Sequence, residues 1–352
     1  MNDCRLTLDE IEYWLRQEDP SRLDLLWMRA DQTRRQNVGD AVHLRGLIEI
    51  SNYCSRRCRY CGLNIENRHL QRYRMTADEI FTCVEKAVEF GYGTVVLQAG
   101  EDYGIKTEWL ADIVRRIKKQ TSLALTLSLG ERPIEDLIAW RKAGADRYLL
   151  RFETSDKALY ERIHPSVANR PGRFELLTVL AQLGFEVGSG VMVGIPGQSF
   201  RSLAEDTALF GRLDLDMIGI GPFISNPLTP LGSGELIPSI DSAEQVPNTD
   251  LMTCKAVALA RLVCPQANIP STTALATINP DSGRELGLTR GANVVMPNLT
   301  PLCYRTLYEI YPGKACLNET ADGYNGCLQA RIESIGRTIG FGSGGRIRKS
   351  DE

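Results

Sequence analysis

Cys54-Ser-Arg-Arg-Cys58-Arg-Tyr60-Cys61 follows directly on an apolar run from Val42 to Ile50. Three thiols spaced C-x3-C-x2-C in a loop after a strand suit three irons of a [4Fe-4S] cube and leave the fourth iron without a protein ligand. A structural zinc site normally takes four ligands, usually as two spaced pairs, and no second pair follows nearby. Soft thiolates at this spacing therefore read as an iron-sulfur ligand set with one open coordination position.

The stretch in front of the loop, His43-Leu-Arg-Gly-Leu-Ile-Glu-Ile50, alternates and is β-branched at its end, which is a strand pattern. Beyond the loop, Thr76-Ala-Asp-Glu79 caps a helix that Gly91 terminates, and the alternation then becomes regular. Strands are expected at 94–98, 123–129, 147–152, 187–195, 217–220, 269–273 and 293–296, with helices between them. Some eight strands alternating with helices predict an α/β fold, a (β/α)8 TIM-type barrel; an open doubly wound sheet is the alternative. Closure is favoured because unusual residues recur where strands end: Cys54, Gly100-Glu101, Ser128 and Glu153. Barrel active sites sit at that rim. Residues 1–40 are expected to be an N-terminal helical extension, 41–300 the barrel and 301–352 a C-terminal extension packed on it.

The 41 Lys and Arg against 44 Asp and Glu leave no basic excess for nucleic acid or an anionic membrane. The local clusters at Arg34-Arg35, Arg57 to Arg59 and Arg346 to Lys349 read as solvated surface. The first residues lack a basic region followed by an apolar stretch, and no run is long enough to span a membrane, so a cytoplasmic protein is expected. Its ten cysteines are then reduced thiols or metal ligands, and Cys4, Cys83, Cys254, Cys264 and Cys303 have no partner at ligand spacing. Gly188-Ser-Gly190 and Gly194 lie inside a strand pattern, which rejects a nucleotide-binding fingerprint.

An iron with an open position can bind S-adenosylmethionine (SAM) through amine and carboxylate. At this point the sequence resembles the radical SAM superfamily, whose signature is C-x3-C-x2-C with an aromatic residue, here Tyr60, before the last cysteine. Gln98-Ala-Gly-Glu-Asp102, Leu127-Ser-Leu-Gly-Glu131, Met192-Val-Gly-Ile-Pro-Gly-Gln198, Ile269-Pro-Ser-Thr-Thr273, Met296-Pro-Asn298 and Tyr308-Glu-Ile-Tyr-Pro-Gly-Lys314 narrow it to the HydE-type maturases of [FeFe]-hydrogenase. The resemblance runs from about His43 onward. It implies cluster ligation by Cys54, Cys58 and Cys61. It also implies SAM contacts from Tyr60, Gly100, Glu101, Ser128 and Glu153, with Arg173 on the SAM carboxylate. By the same resemblance, Arg45, Thr126, Thr272, Thr273, Met296, Tyr308 and Tyr311 line a substrate cavity.

The implied activity is reductive cleavage of SAM in assembly of the hydrogenase diiron site, on a cysteine-bound Fe(CO)2CN unit. Companion maturases and a reducing protein such as flavodoxin or ferredoxin would be its partners. The alternatives are a radical SAM enzyme on a small organic substrate, like biotin synthase or methylornithine synthase, and a non-catalytic iron-sulfur carrier. Two departures from the family pattern stand out. Some members hold a second cluster on three C-terminal cysteines, whereas Tyr324 here stands between Cys316 and Cys327, so a second cluster is expected to be absent. Phe152 occupies a position where the family often has His, which suggests altered substrate handling.

Overall fold

Thr7 accepts the Glu10 amide while the Glu10 carboxylate accepts from the Thr7 amide, a capping box that opens α1 (Leu8–Arg16); Asp19 caps α2 (Pro20–Val38). The computed structural model describes residues 6–165, 171–236, 240–315, 317 and 321–346. After Gly39, β1 (Ala41–Ser51) is buried continuously from Leu44 onward, as a parallel strand covered on both faces must be.

From there helices and strands alternate. The Thr76-Glu79 box opens α3 (Ala77–Glu89), and β2 (Thr94–Ala99), α4 (Thr107–Gln120), β3 (Ala124–Ser128), α5 (Ile134–Ala143) and β4 (Arg147–Leu149) follow. Two helices, α6 (Lys157–Ile163) and α7 (Arg173–Gln182), precede β5 (Glu186–Val193), α8 (Phe200–Arg212) and β6 (Met217–Pro222). The remainder is α9 (Asp250–Val263), α10 (Thr273–Ile278), α11 (Gly283–Thr289), β7 (Val294–Val295), α12 (Leu302–Arg305), α13 (Ala321–Ser334) and β8 (Thr338–Gly340). No helix among the described residues is long and apolar enough to cross a membrane.

Every ladder is parallel, in the order β6-β5-β4-β3-β2-β1-β7. The gap between β6 and β7 is closed by the extended stretch 268–271, which pairs Met217 with Asn268 on one side and Pro270 with Val294 on the other. This is the segment expected as a strand over 269–273. It makes isolated bridges instead of a ladder because Pro270 has no N–H to give and Thr272 already caps α10. The last strand, β8, comes from the stretch expected as an extension and pairs with the start of β1, from Ala41 to His43.

Past β8 the chain crosses beneath the barrel. The Ser343 carbonyl accepts from Thr94 Oγ1 at 2.9 Å and Arg147 Nη2 at 3.1 Å, and the Gly344 carbonyl accepts from Arg45 Nη2 at 3.1 Å and Asn268 Nδ2 at 3.0 Å. Arg346 anchors the crossing on Asp214 at 2.6 Å. The tail runs so close that a Cβ on Gly93 would meet the Gly342 carbonyl at 1.5 Å. Residues 341–346 therefore form a floor at the N-terminal end of the strands, and the C-terminal rim stays the functional end.

Candidate active site

The cysteine loop leaves the C-terminal end of β1 and is pinned from three directions. Ser55 N–H donates to the Glu101 carbonyl at 3.0 Å, Arg59 N–H to Ile163 at 2.8 Å, and Gly62 N–H to Ile310 at 2.8 Å. A Cβ on Gly100 would come 2.3 Å from the Tyr53 carbonyl and 2.8 Å from Cys54 Cβ, so only glycine lets the β2 rim approach the thiol loop this closely. Cys58 is 8 % exposed, while Cys54 and Cys61 are half-buried. Burial, and then the charge of the neighbouring thiols, pushes Cys58 well above the ordinary thiol value, and burial pushes Cys61 up to about 12. Three thiols in one loop, each raised by burial and two of them also by a neighbouring thiol, suit a cationic iron centre, which would hold them as thiolates.

Beside them sits a buried charge network that sequence reasoning did not assemble. Glu131 accepts from Arg173 Nε at 2.9 Å and Arg56 Nη1 at 3.2 Å, and its Oε1 lies 3.4 Å from His164 Nε2. On its other side His164 Nδ1 stands 3.1 Å from Cys58 Sγ and 3.5 Å from the Tyr60 hydroxyl. Burial alone would raise Glu131; the His164 contact with Arg173 and Arg56 holds it low, at about 2. His164 is pushed down to about 4 by burial and by Arg173.

Glu101 is different. It is 4 % exposed, Arg173 and Arg56 stand 3.6 and 3.8 Å away, and neither oxygen has a hydrogen-bond donor aligned on it. Burial and the neighbouring Glu131 push it up to about 7. Gly130, at φ 73, leaves the space this side chain occupies, since a Cβ there would fall 1.9 Å from Glu101 Cγ. A buried carboxylate with both oxygens undonated fits a cationic, N–H-rich ligand, such as the ammonium of an amino-acid moiety.

Glu153 occupies a strained position. Its φ is 65, and Thr154 N–H donates to the Phe152 carbonyl at 2.8 Å, so Glu153 is the centre of a γ-turn of the rarer, positive-φ kind. Gly190 and Met192 of β5 hold its backbone at 3.0 and 3.1 Å. Arg151 Nη2 lies 3.1 Å from Glu153 Oε2 without hydrogen-bond alignment.

The far side of the turn is fixed by Asp206 of α8, fully buried, which accepts from Ser155 Oγ at 2.6 Å and Thr154 Oγ1 at 3.4 Å. Burial pushes Asp206 up to about 7 in spite of these bonds. A carboxyl raised on folding contributes stability that is full below about pH 4 and is lost as pH rises through 7. Asp206→Asn keeps an acceptor oxygen and removes that loss. Thermal unfolding midpoints from pH 5.5 to 8 are expected to fall more steeply in the wild type than in the variant, with about 2 kcal/mol as the upper bound over that window. Parallel profiles would exclude a titrating Asp206.

Of the other expected contacts, Ser128 ends β3 in register with Gln98, and Gln98 with Glu49, so the three share a face at the rim. Tyr308 is buried, hydrogen-bonded to the Gln98 side chain, with Lys314 Nζ 5.2 Å from its ring centre. Lys314 pairs with Glu49, which also accepts from Asn298 at 3.0 Å. Glu49 and Lys314 were not among the expected site residues. Tyr311 bonds Thr277, whose hydroxyl donates to the Thr273 carbonyl at 2.8 Å, and Thr272 caps α10. Met296 is half-buried, and Thr126 is buried with its hydroxyl undonated and undonating.

Arg45 stands apart from these, at the floor against Gly344 and Met217. Phe152 also faces elsewhere: its ring packs 5.2 Å from Phe174 and 5.8 Å from Phe210, between α7 and α8. The ring is fully buried and packs in the helical layer. Cys316 and the Tyr324 side chain lie outside the described residues, and Cys327 is exposed on α13.

Against known proteins, the model of the radical SAM superfamily matches residues 48–210. The chain is 46 % identical over 325 residues to the [FeFe] hydrogenase maturase subunit HydE of Thermotoga maritima, spanning 92 % of this chain and 89 % of that protein. It is 26 % identical over 293 residues to a 3-methylornithine synthase of Methanosarcina acetivorans, spanning 83 % of this chain and 79 % of the other. Among solved structures, methylornithine synthase (PylB) superposes with a TM-score of 0.78 at 24 % identity, over 99 % of this chain and 96 % of that one. HydG, a maturase of the [FeFe]-hydrogenase, superposes at 0.74 and 20 % identity, over 94 % and 72 %. At those identities the structural likeness speaks to the barrel alone.

Proposed function

Because the chain belongs to the radical SAM superfamily, and within it to the HydE-type [FeFe]-hydrogenase maturases, we propose that it cleaves SAM reductively to build the hydrogenase diiron site. Cys54, Cys58 and Cys61 would hold the [4Fe-4S] cluster, which when bound would supply an open coordination position for SAM and the electron for its reductive cleavage. The observation that carries this reading is the buried, undonated Glu101 carboxylate set against the three-cysteine loop.

The chain's own groups divide the work of holding the second ligand. Glu101 accepts from the N–H groups of the amine, Gly100 leaves room beside the thiol loop, and Ser128 and Glu153 address the nucleoside from two further strand ends. Tyr60 packs alongside, and Arg173 supplies positive charge for the carboxylate while its Nε stays on Glu131. A γ-turn locked on both sides delivers Glu153 in one orientation, which is how strained backbone is used at sites that must be preorganised. The substrate is a cysteine-bound Fe(CO)2CN unit, taken into the cavity lined by Thr126, Thr272, Thr273, Met296, Tyr308 and Tyr311, with Arg45 below. The partners are companion maturases and a low-potential reducing protein, in the cytoplasm. One cluster per chain suffices, since Tyr324 offers iron no thiolate.

With dithionite and SAM, the anaerobic holoenzyme is expected to release 5′-deoxyadenosine, and the iron-cysteine unit to raise that release at least about tenfold, a transition-state gain near 1.4 kcal/mol. Chromatography of quenched reactions reads both. No nucleoside at all would leave an iron-sulfur carrier. Hydrogen abstraction from an amino acid, with no response to the iron unit, would leave an enzyme of the methylornithine or biotin synthase kind.

A further inference from the structure

We propose that the outer face of the cysteine loop is the docking surface for a small acidic one-electron carrier protein, seated over the cavity that opens beside Cys54. This rests on the SAM-cleaving reading, which requires an electron from outside. That cavity measures about 510 Å³ and is lined by Cys54 together with Tyr53, Ile65, Arg68, Arg72 and Tyr103, with Glu101 and Asp102 at its inner wall.

The charge around it is out of keeping with the rest of the chain. Residues 53–74 carry six arginines against one glutamate, in a protein whose overall balance is −3. Three of the six are engaged within the fold. Arg56 faces inward on Glu131, Arg72 donates to four loop carbonyls, and Arg74 is held by Asp102 at 2.6 Å. Arg74 is itself exposed, with its guanidinium 4.0 Å over the Tyr53 ring, and Arg57, Arg59 and Arg68 are exposed without such an anchor. Arg57 is 70 % exposed and only loosely set against Glu66 at 3.6 Å, and Arg59 and Arg68 have no ion pair among the described residues.

Ile65, 51 % exposed, and Tyr53, 37 % exposed, place apolar surface between these charges. An apolar centre within a basic rim, over the edge of the metal-binding loop, complements an acidic protein that presents its redox group at its own surface. The carrier's reduced centre gives up one electron and the cluster side gains one, with no bond made or broken. A second copy of this chain would bring the same arginines to the face, and like charges would repel it.

The test compares wild-type holoenzyme with Arg57→Glu/Arg68→Glu and Arg57→Lys/Arg68→Lys, using reduced flavodoxin as the probe and dithionite as the small reductant. The Glu double variant is expected to bind flavodoxin on the order of ten- to a hundredfold more weakly and with a shallower salt dependence. Flavodoxin-driven 5′-deoxyadenosine release should fall in step, while dithionite-driven release stays within about twofold of wild type and the Lys variant retains binding. Unchanged flavodoxin affinity in the Glu variant overturns the proposal. So does an equal loss with dithionite, which would place the arginines in the reaction itself. Absence of 5′-deoxyadenosine from the wild type with dithionite would instead defeat the SAM-cleaving reading, and the affinity measurement would still decide where flavodoxin binds.

Discussion

Cys54→Ala is expected to lower the iron content from about four per chain to near zero and to abolish 5′-deoxyadenosine release, a loss of at least about a thousandfold. Two thiols of one loop cannot retain three irons of a cube. Without a cationic centre, the burial that pushes Cys58 and Cys61 upward keeps both protonated and poor ligands at neutral pH. Cys54 is the informative member because it is half-buried and lines the outer cavity, so its removal leaves no large internal void. Anaerobic iron analysis with electron paramagnetic resonance reads the result, and Cys327→Ser in the same series is expected to leave iron unchanged. Four irons retained in Cys54→Ala would remove the three-cysteine site. A drop in Cys327→Ser would reveal a second cluster.

Arg173→Ala should cost about 3–5 kcal/mol of stability and also weaken SAM binding by at least tenfold. The guanidinium is the closest cation to Glu131 and one of two that face Glu101; both carboxylates are buried and the Arg173 side chain is only 9 % exposed. Removing it leaves the two carboxylates with Arg56 alone, and breaking one partner of a buried network costs far more than the intact network contributes. Glu153→Gln supplies the comparison. It keeps the γ-turn and the volume, so it is expected to weaken SAM binding while its thermal midpoint stays within about 3 °C of wild type. Calorimetry of both variants, for unfolding and for SAM, separates the two effects. A stable Arg173→Ala would mean that Glu131 and Glu101 find water or each other, and the network would lose its structural role.

How much of this was legible in the sequence depended on how local each feature is. The cysteine spacing, the capping box at Thr76, and most of the strands are short-range patterns, and the folded chain carries them where periodicity placed them. The charge network was not legible because its members are far apart in the chain. Cys58 and His164 are separated by 106 residues and Arg56 and Glu131 by 75, and no motif joins them. Their only signals were a histidine among three in the whole chain and the last residue of the Leu127–Glu131 stretch. The stretch 269–273 has strand-like composition, and Pro270 together with the cap at Thr272 overrides it. Conversely, β8 is three residues in a glycine-rich basic tail, and its pairing with β1 reflects position rather than propensity.

The floor made by residues 341–346 gives the protein a timetable. These residues leave the ribosome after every strand of the barrel, so the emerging chain passes through a stage in which β1, Arg45 and Arg147 are synthesised but the segment that seals them is still inside the exit tunnel. A nascent barrel is thus open at both ends until residues 341–346 have emerged and settled beneath it. With that segment in place, the open end is the C-terminal rim, where the cysteine loop and the cavity beside Cys54 lie.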